Sequence, residues 1–192
     1  ELAGVAELLR KEGKKIVLSS GVYDLIHNGH GRYLELAKSK GDVLIVGVDP
    51  DELTKIRKGP NRPLVPEDER IEMLLHTRHV DIVTMYTPGN DNFKLIELVK
   101  PDIIIISETT NDIKPEMLEQ IERYNIEKIV LPSQSDVSST GRIRHMLISS
   151  SKELFLALQD AMQEKILPEL MQMIDKVFKS VIDGKGGKDE SK

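Results

Sequence analysis

The sequence predicts an α/β fold: a doubly wound sheet of about five parallel strands with helices on both faces, plus a C-terminal helical extension. Three observations predict it. Short apolar runs of strand type alternate with segments of helical periodicity. One run, Val43-Leu44-Ile45-Val46-Gly47-Val48, is apolar at nearly every position, the mark of a strand buried on both faces. Near residue 150 the strand-type runs stop, and a single helical stripe continues.

Taken in order, residues 2–11 read as a short amphipathic helix with Leu2, Val5, Ala6 and Leu9 on one side. A strand follows at 15–19, then a helix at 28–39 carrying Tyr33, Leu34, Leu36 and Ala37. The strand at 43–48 leads to a loop with Lys58, Gly59, Pro60, Arg62, Pro63 and Pro66, and Pro66 opens a helix at 67–77. The alternation then repeats: strand 81–86, helix 91–99, strand 102–107, helix 114–124, strand 127–131. Ser149-Ser150-Ser151 is a hinge or N-cap candidate. Beyond it Phe155, Leu158, Met162, Ile166, Leu170, Ile174, Phe178 and Val181 recur at helical spacing, and Pro168 should bend or divide that helix. The expected organisation is a domain over 1–148, a helical extension over 149–183 and a disordered tail over 184–192, which is rich in Gly, Lys and Asp.

Composition narrows the function. The 192 residues are 39% apolar and 31% charged, the balance of a soluble globular protein with a substantial core. The net charge of -5 argues against a primary nucleic-acid binder. Cysteine is absent, which excludes disulfides, thiolate zinc sites and cysteine catalysis, and fits a reducing cytoplasm. No apolar stretch approaches the roughly 20 residues needed to cross a bilayer. The opening Glu1-Leu2-Ala3-Gly4 has no initiator Met, basic n-region or h-region, as in a trimmed or excised segment.

The chemistry concentrates where the first strand meets its helix. That segment reads Gly21-Val22-Tyr23-Asp24-Leu25-Ile26-His27-Asn28-Gly29-His30. A helix N-terminus presents unpaired N–H groups and the positive end of a dipole, which favour phosphate. Two imidazoles there add directed donors, and Gly29 allows close approach of a ligand to the backbone. The plain alternative is a pair of surface histidines beside a turn. A metal site is a third option, but helical metal pairs prefer i,i+4 spacing and need a further ligand. His76, His79 and His145 complete no such set by spacing.

At these residues the chain resembles the cytidylyltransferase-like nucleotidyltransferases, whose signature is Gly-x-Tyr/Phe-Asp-x-x-His-x-Gly-His. The resemblance continues through Gly41 to Val48, Asp51-Glu52-Leu53-Thr54 and Lys58-Gly59-Pro60-Asn61-Arg62-Pro63 with Glu67-Asp68-Glu69-Arg70. It extends through Thr77-Arg78-His79-Val80-Asp81 to Ser138-Ser139-Thr140, covering roughly 1–147. It implies a Rossmann-like fold and a reaction: a nucleoside monophosphate passes from CTP or ATP to a phosphorylated small metabolite, releasing pyrophosphate. His27, His30 and Lys58 are the implied catalytic residues. Gly21, Val22, Tyr23, Asp24, Gly29, Ser138, Ser139, Thr140, Arg142 and Arg144 would bind nucleotide, and Mg²⁺ would accompany the triphosphate.

Each of these residues also has an ordinary structural role to weigh. Lys58 alone is a solvated surface lysine, and Ser138-Ser139-Thr140 alone is an N-cap. Arg142 and Arg144 can pair with exposed acids. Arg70 and Arg78 bind substrate or brace the loop through carboxylates, and Asp24 can orient the turn instead of touching ligand.

Two branches of the family are in view. The lead-in Leu8 to Val17 and Lys58 to Pro63 are similar to the adenylyltransferase half of ADP-heptose synthase. Gly21 to Leu25 and Thr77 to Asp81 are similar to the phosphocholine, phosphoethanolamine and glycerol-3-phosphate cytidylyltransferases. The CTP branch's Arg-Thr-Glu-Gly is replaced by Ser133-Gln134-Ser135-Asp136-Val137. The heptose branch's Gly-Gly-Asp-Tyr is replaced by Ser107-Glu108-Thr109-Thr110. The base and the acceptor therefore stay open. A second reading is a catalytically weak or inactive nucleotide-binding module. A class I aminoacyl-tRNA synthetase fragment fits less well, because the chain is short and acidic and lacks a Lys-Met-Ser-Lys-Ser-type loop. The expected partners are the nucleotide and its acceptor, with no nucleic acid and no membrane. A homodimer is also expected, since the family often dimerises and the tail carries an apolar stripe.

Overall fold

Strands and helices alternate as the periodicity predicts. The computed structural model describes residues 1–85, 92–108, 114–135 and 139–185. Helix α1 (Leu2–Lys11) leads into β1 (Ile16–Gly21), α2 (Asn28–Lys38), β2 (Val43–Val48), α3 (Asp51–Lys58) and α4 (Glu67–Leu75). β3 (Ile82–Met85), α5 (Asn92–Val99), β4 (Ile103–Ser107), α6 (Pro115–Arg123) and β5 (Glu127–Leu131) complete the pattern.

The five strands form one parallel sheet in the order β3-β2-β1-β4-β5. Chain order reverses between β1 and β4. In doubly wound sheets the crevice beyond the strand ends at that point receives ligands. Alternation along β1 explains the two helical layers. Ile16 and Leu18 pack with α1, α5 and α6 residues such as Ala6, Ile96 and Ile121. Val17 faces the other way, into a cluster with Leu34 and Ala37 of α2 and Leu74 of α4. Ile16, Val17, Leu34, Leu44, Ile45 and Leu74 are fully buried. Each such leucine or isoleucine contributes roughly 1.5–3 kcal/mol of transfer free energy.

The structure adds one helix that the sequence reading leaves unassigned. α3 is mostly polar, so its apolar periodicity is weak. Its charges still mark it, with Asp51 and Glu52 in the first turn and Lys55, Arg57 and Lys58 in the last, complementing the helix dipole.

The chain divides into two compact units, Glu1–Ser139 and Thr140–Lys192. A long helix, α7 (Ser139–Ala161), passes from one into the other. Ser149, Ser150 and Ser151 are neither hinge nor N-cap: they lie inside α7. Nearby Leu147 and Leu154 keep the helical period running past them, and serine is tolerated in a helix interior. Helix α7 ends in a π turn, Met162–Ile166, followed by α8 (Leu167–Lys185). Pro168 supplies the reason. It has no N–H to give to the carbonyl four residues back, and its ring crowds that carbonyl, so the preceding turn widens. The expected disordered tail lies outside the described residues from 186 onward. Among the described residues no helix is long and apolar enough to cross a membrane.

Candidate active site

The site begins at the carboxyl end of β1, beside the switch point. The chain leaves the sheet at Gly21 and reaches α2 through a tight loop in which Tyr23 (φ 53°) and Leu25 (φ 49°) adopt left-handed backbone. Non-glycine residues avoid that region, so surrounding contacts must hold them there. Asp24, between them, supplies those contacts. Its carboxylate is 3% exposed at the residue level, ion-pairs with Arg62 at 2.7 Å and accepts the N–H groups of Leu64 and Val65 at 3.0–3.2 Å. Its carbonyl accepts the Ser139 hydroxyl at 2.9 Å. Asp24 thus ties three segments together: the β1–α2 loop, the lysine loop and the start of α7. Of the two roles expected for Asp24, nucleotide contact and turn orientation, its carboxylate in this structure serves the loop.

His27 is the N-cap of α2. Its Nδ1 accepts the Gly29 N–H at 3.0 Å, and the His30 Nδ1 accepts the His27 N–H at 3.2 Å. This is a reciprocal cap built from two imidazoles in place of the usual Ser and Glu. It fixes the tautomers: a neutral ring whose Nδ1 accepts carries its proton on Nε2. Each ring therefore carries its proton on Nε2. The ring centroids lie 4.2 Å apart, and Tyr23 lies 5.7 Å from His30.

Gly29 is required for a reason other than ligand approach. An ideal Cβ there would lie 2.6 Å from the Ser135 Cβ and 2.8 Å from the His27 Cε1. The absent side chain leaves room for the His27 ring and for Ser135.

Electrostatics keep His30 neutral. Burial lowers its pKa to about 4, with help from His27 and Lys58 and against the pull of Asp24. Lys58 lies in the last turn of α3, and its positive charge is one of the contributions that lower the His30 pKa. Partial desolvation, then the Arg62 guanidinium, holds the Lys58 ammonium below the ordinary lysine value, while Asp49 and Asp24 oppose them. His30 thus lies against the His27 ring, 4.2 Å away between centroids, and feels the charge of Lys58.

Val22 and Tyr23 have buried side chains. Tyr23 and Tyr33 both reach the Ser19 hydroxyl, and Tyr33 also donates to the Ile105 carbonyl, joining β1 to β4 beneath the loop. The Gly21 carbonyl accepts the Asp49 N–H. Arg70 is 1% exposed and donates to the carbonyls of Val65, Val22 and Asp49 and to the Asp51 carboxylate. It braces the loop. Arg78 is exposed between α4 and β3. Ser138 lies outside the described residues, and Thr140, Arg142 and Arg144 belong to the second unit.

Asp49 escaped the sequence reading. It is 2% exposed and pairs with Arg57 at 3.0 Å, and its Oδ1 has no hydrogen-bond partner among the described residues. Burial raises its pKa, against Arg57, Lys58 and Arg70. A signal existed: Asp49 is the first charged residue after β2, at the strand end where such sheets bind ligands. Among the described residues no group of three or more His, Cys, Asp or Glu is placed to hold a metal ion.

A parallel sheet with paired imidazoles on the helix start beside its switch point defines a nucleotidyltransferase-type domain. A profile described as cytidylyltransferase-like matches residues 18–154, and the chain belongs to that family. It is 40% identical over 147 residues to the bifunctional protein HldE of Desulfatibacillum aliphaticivorans, covering 75% of this chain and 29% of that protein. It is likewise 40% identical over 105 residues to the HldE of Helicobacter pylori J99, covering 54% of this chain and 22% of that protein. The chain thus spans less than a third of the length of these curated relatives. Among solved structures, the lipopolysaccharide core biosynthesis protein from Thermoplasma volcanium GSS1 superposes with a TM-score of 0.53 at 29% identity. That match covers 63% of this chain and 97% of that one.

Proposed function

We propose that this chain is a nucleotidyltransferase that moves a nucleoside monophosphate from ATP or CTP to the phosphate of a small metabolite, a sugar phosphate or phospho-alcohol, with release of pyrophosphate. The reciprocal imidazole cap carries the reading. Two rings with their protons on Nε2, at the positive end of α2 and in electrostatic reach of Lys58, suit the oxygens of a polyphosphate. The resemblance to the adenylyltransferase half of ADP-heptose synthase, with the HldE relatives, favours ATP and a sugar phosphate.

In this reaction an acceptor phosphate oxygen attacks the α-phosphorus while the bond to the pyrophosphate oxygen breaks in line. The nucleophile is already anionic, so no general base is required. Catalysis is then positioning and charge stabilisation. The His27 and His30 Nε2–H groups donate to phosphate oxygens. Lys58 supplies positive charge, and a bound triphosphate gives its desolvated ammonium an anionic partner. Ser139 and Thr140, with Ser138, Arg142 and Arg144, are proposed for the β- and γ-phosphates. Mg²⁺ would be held by the triphosphate's own oxygens, adding charge neutralisation when bound. These substrates fit a cytoplasmic setting.

The test is pyrophosphate release from ATP and from CTP with sugar phosphates, phosphocholine, phosphoethanolamine and glycerol 3-phosphate. Turnover is expected, and His30→Ala lowers it by at least about 100-fold. Near-native turnover in that variant overturns the assigned role. Nucleotide binding without turnover across the panel selects the inactive module instead.

A further inference from the structure

Helix α3 carries Lys58, yet little apolar packing fixes its place. Its one buried residue is Thr54, whose hydroxyl donates to the Pro50 carbonyl at the helix's own start. Leu53 is half-buried, and Ile56 is 82% exposed. A surface helix is usually located by an apolar stripe against the core. Polar ties at the two ends locate α3 instead. At the first turn the Asp51 carboxylate accepts Arg70 at 2.6 Å, and the Asp51 N–H donates to the Glu67 carboxylate at 2.7 Å. At the last turn Arg57 donates to the Asp49 Oδ2 at 3.0 Å. Lys58 is the next residue, and Gly59 (φ 99°) ends the helix directly after it.

Asp49 is the fixed end of that second tie. Its N–H donates to the Gly21 carbonyl at 2.9 Å, and its own carbonyl accepts Arg70 at 2.9 Å. Gly21 is the last residue of β1, where the chain leaves for the histidine loop. One residue therefore joins the root of that loop to the turn that carries Lys58. A carboxylate is costly at this position. It is buried, and its Oδ1 lacks a hydrogen-bond partner among the described residues. An apolar replacement of a buried ion pair is often neutral or stabilising, so fold stability does not account for the charge.

We propose that Asp49 is a positioning residue for Lys58: through its ion pair with Arg57 it holds the last turn of α3 so that the Lys58 ammonium meets the phosphates beside His30. This deepens the proposed nucleotidyl transfer and rests on the role given there to Lys58. The pairing of charges supports it. Asp49 is engaged by Arg57 and Asp24 by Arg62, and Lys58 forms no ion pair among the described residues. Both carboxylates still act on Lys58 electrostatically. The two arginines thus occupy the nearby acids and leave the ammonium to a polyphosphate. Position matters for such a cation, because a misplacement of about 1 Å can cost up to about 100-fold in rate.

The experiment measures kcat and KM of the full chain with ATP, CTP and the acceptor panel above. Asp49→Ala and Arg57→Met should each lower kcat at least about fivefold, with kcat falling by more than KM rises. Asp49→Asn keeps an oxygen that can accept Arg57 and should retain at least about half of the wild-type kcat. In a Lys58→Ala background, Asp49→Ala should cost less than about a further twofold, since nothing is left to position. The same factor in both backgrounds overturns the proposal, as does a kcat for Asp49→Ala within about twofold of wild type. Should Asp49→Ala fail to fold, Arg57→Met carries the comparison, because the Arg57 side chain is 23% exposed. A second measurement needs no turnover. Backbone ¹⁵N order parameters of Lys58 and Gly59 should fall from about 0.85 toward 0.6 in the Asp49 and Arg57 variants, while that of Thr54 holds. Unchanged values at Lys58 and Gly59 overturn the proposal. If the wild type turns over no substrate in the panel, the proposed reaction fails, and the order parameters alone decide whether Asp49 positions Lys58.

Discussion

Lowering the pH tests the environment of His30 directly. Burial brings its pKa from 6.5 to about 4. Below pH 6.5 the unfolded chain binds a proton on this ring that the folded chain refuses, so stability rises with pH through the window from 4 to 6.5. The contribution is complete above that window and is lost as the pH falls through it. A difference of about 2.5 units corresponds to about 3 kcal/mol in the low-pH limit, of which about 2 kcal/mol is already lost at pH 5. Carboxylates titrate in the lower part of the same window, so the comparison must be with His30→Asn, whose amide oxygen can take the His27 N–H that Nδ1 now accepts. Urea denaturation at pH 8 and pH 5 should show the stability gap between wild type and variant shrinking by about 2 kcal/mol. Ring ¹⁵N shifts should report an Nε2-protonated tautomer with a midpoint near 4. A midpoint at or above 6.5, or a proton on Nδ1, refutes the reciprocal cap and the donor assignment built on it.

Three further outcomes follow from the same geometry. Gly29→Ala places a methyl 2.6 Å from the Ser135 Cβ and 2.8 Å from the His27 Cε1, so calorimetry should show a loss of about 1–3 kcal/mol; an unchanged melting temperature contradicts the packing role. Asp24→Asn leaves the buried Arg62 guanidinium without its counter-charge, and denaturant titration should show a loss of about 3–5 kcal/mol. A loss under about 1 kcal/mol would mean that Asp24 is not the tie for the lysine loop. Lys58→Ala should lower turnover at least about tenfold while stability stays within about 0.5 kcal/mol; the reverse pattern makes Lys58 a structural residue.

The alternation of apolar runs with helical periods determined the sheet, its helices and its strand boundaries to within two or three residues. Those signals are local: a strand buried on both faces must be apolar throughout, as Leu44 to Val48 nearly are, whatever its neighbours. The sequence also singled out His27 and His30 as candidates because their motif is contiguous in the chain, and Lys58 through a separate loop segment. It missed α3, a largely polar helix, and offered a hinge or N-cap at Ser149–Ser151 where the helical period simply continues. Tertiary structure alone decided which atoms of these residues are engaged. Asp24 grips a loop some 40 residues away, Arg70 closes on three carbonyls, and Gly29 is reserved for Ser135, more than 100 positions along the chain. No periodicity records such partners, since hydrogen bonds and close contacts between distant segments depend on how the chain returns on itself. The same holds for the tautomer and pKa of His30, which follow from burial and from charges brought together only by folding.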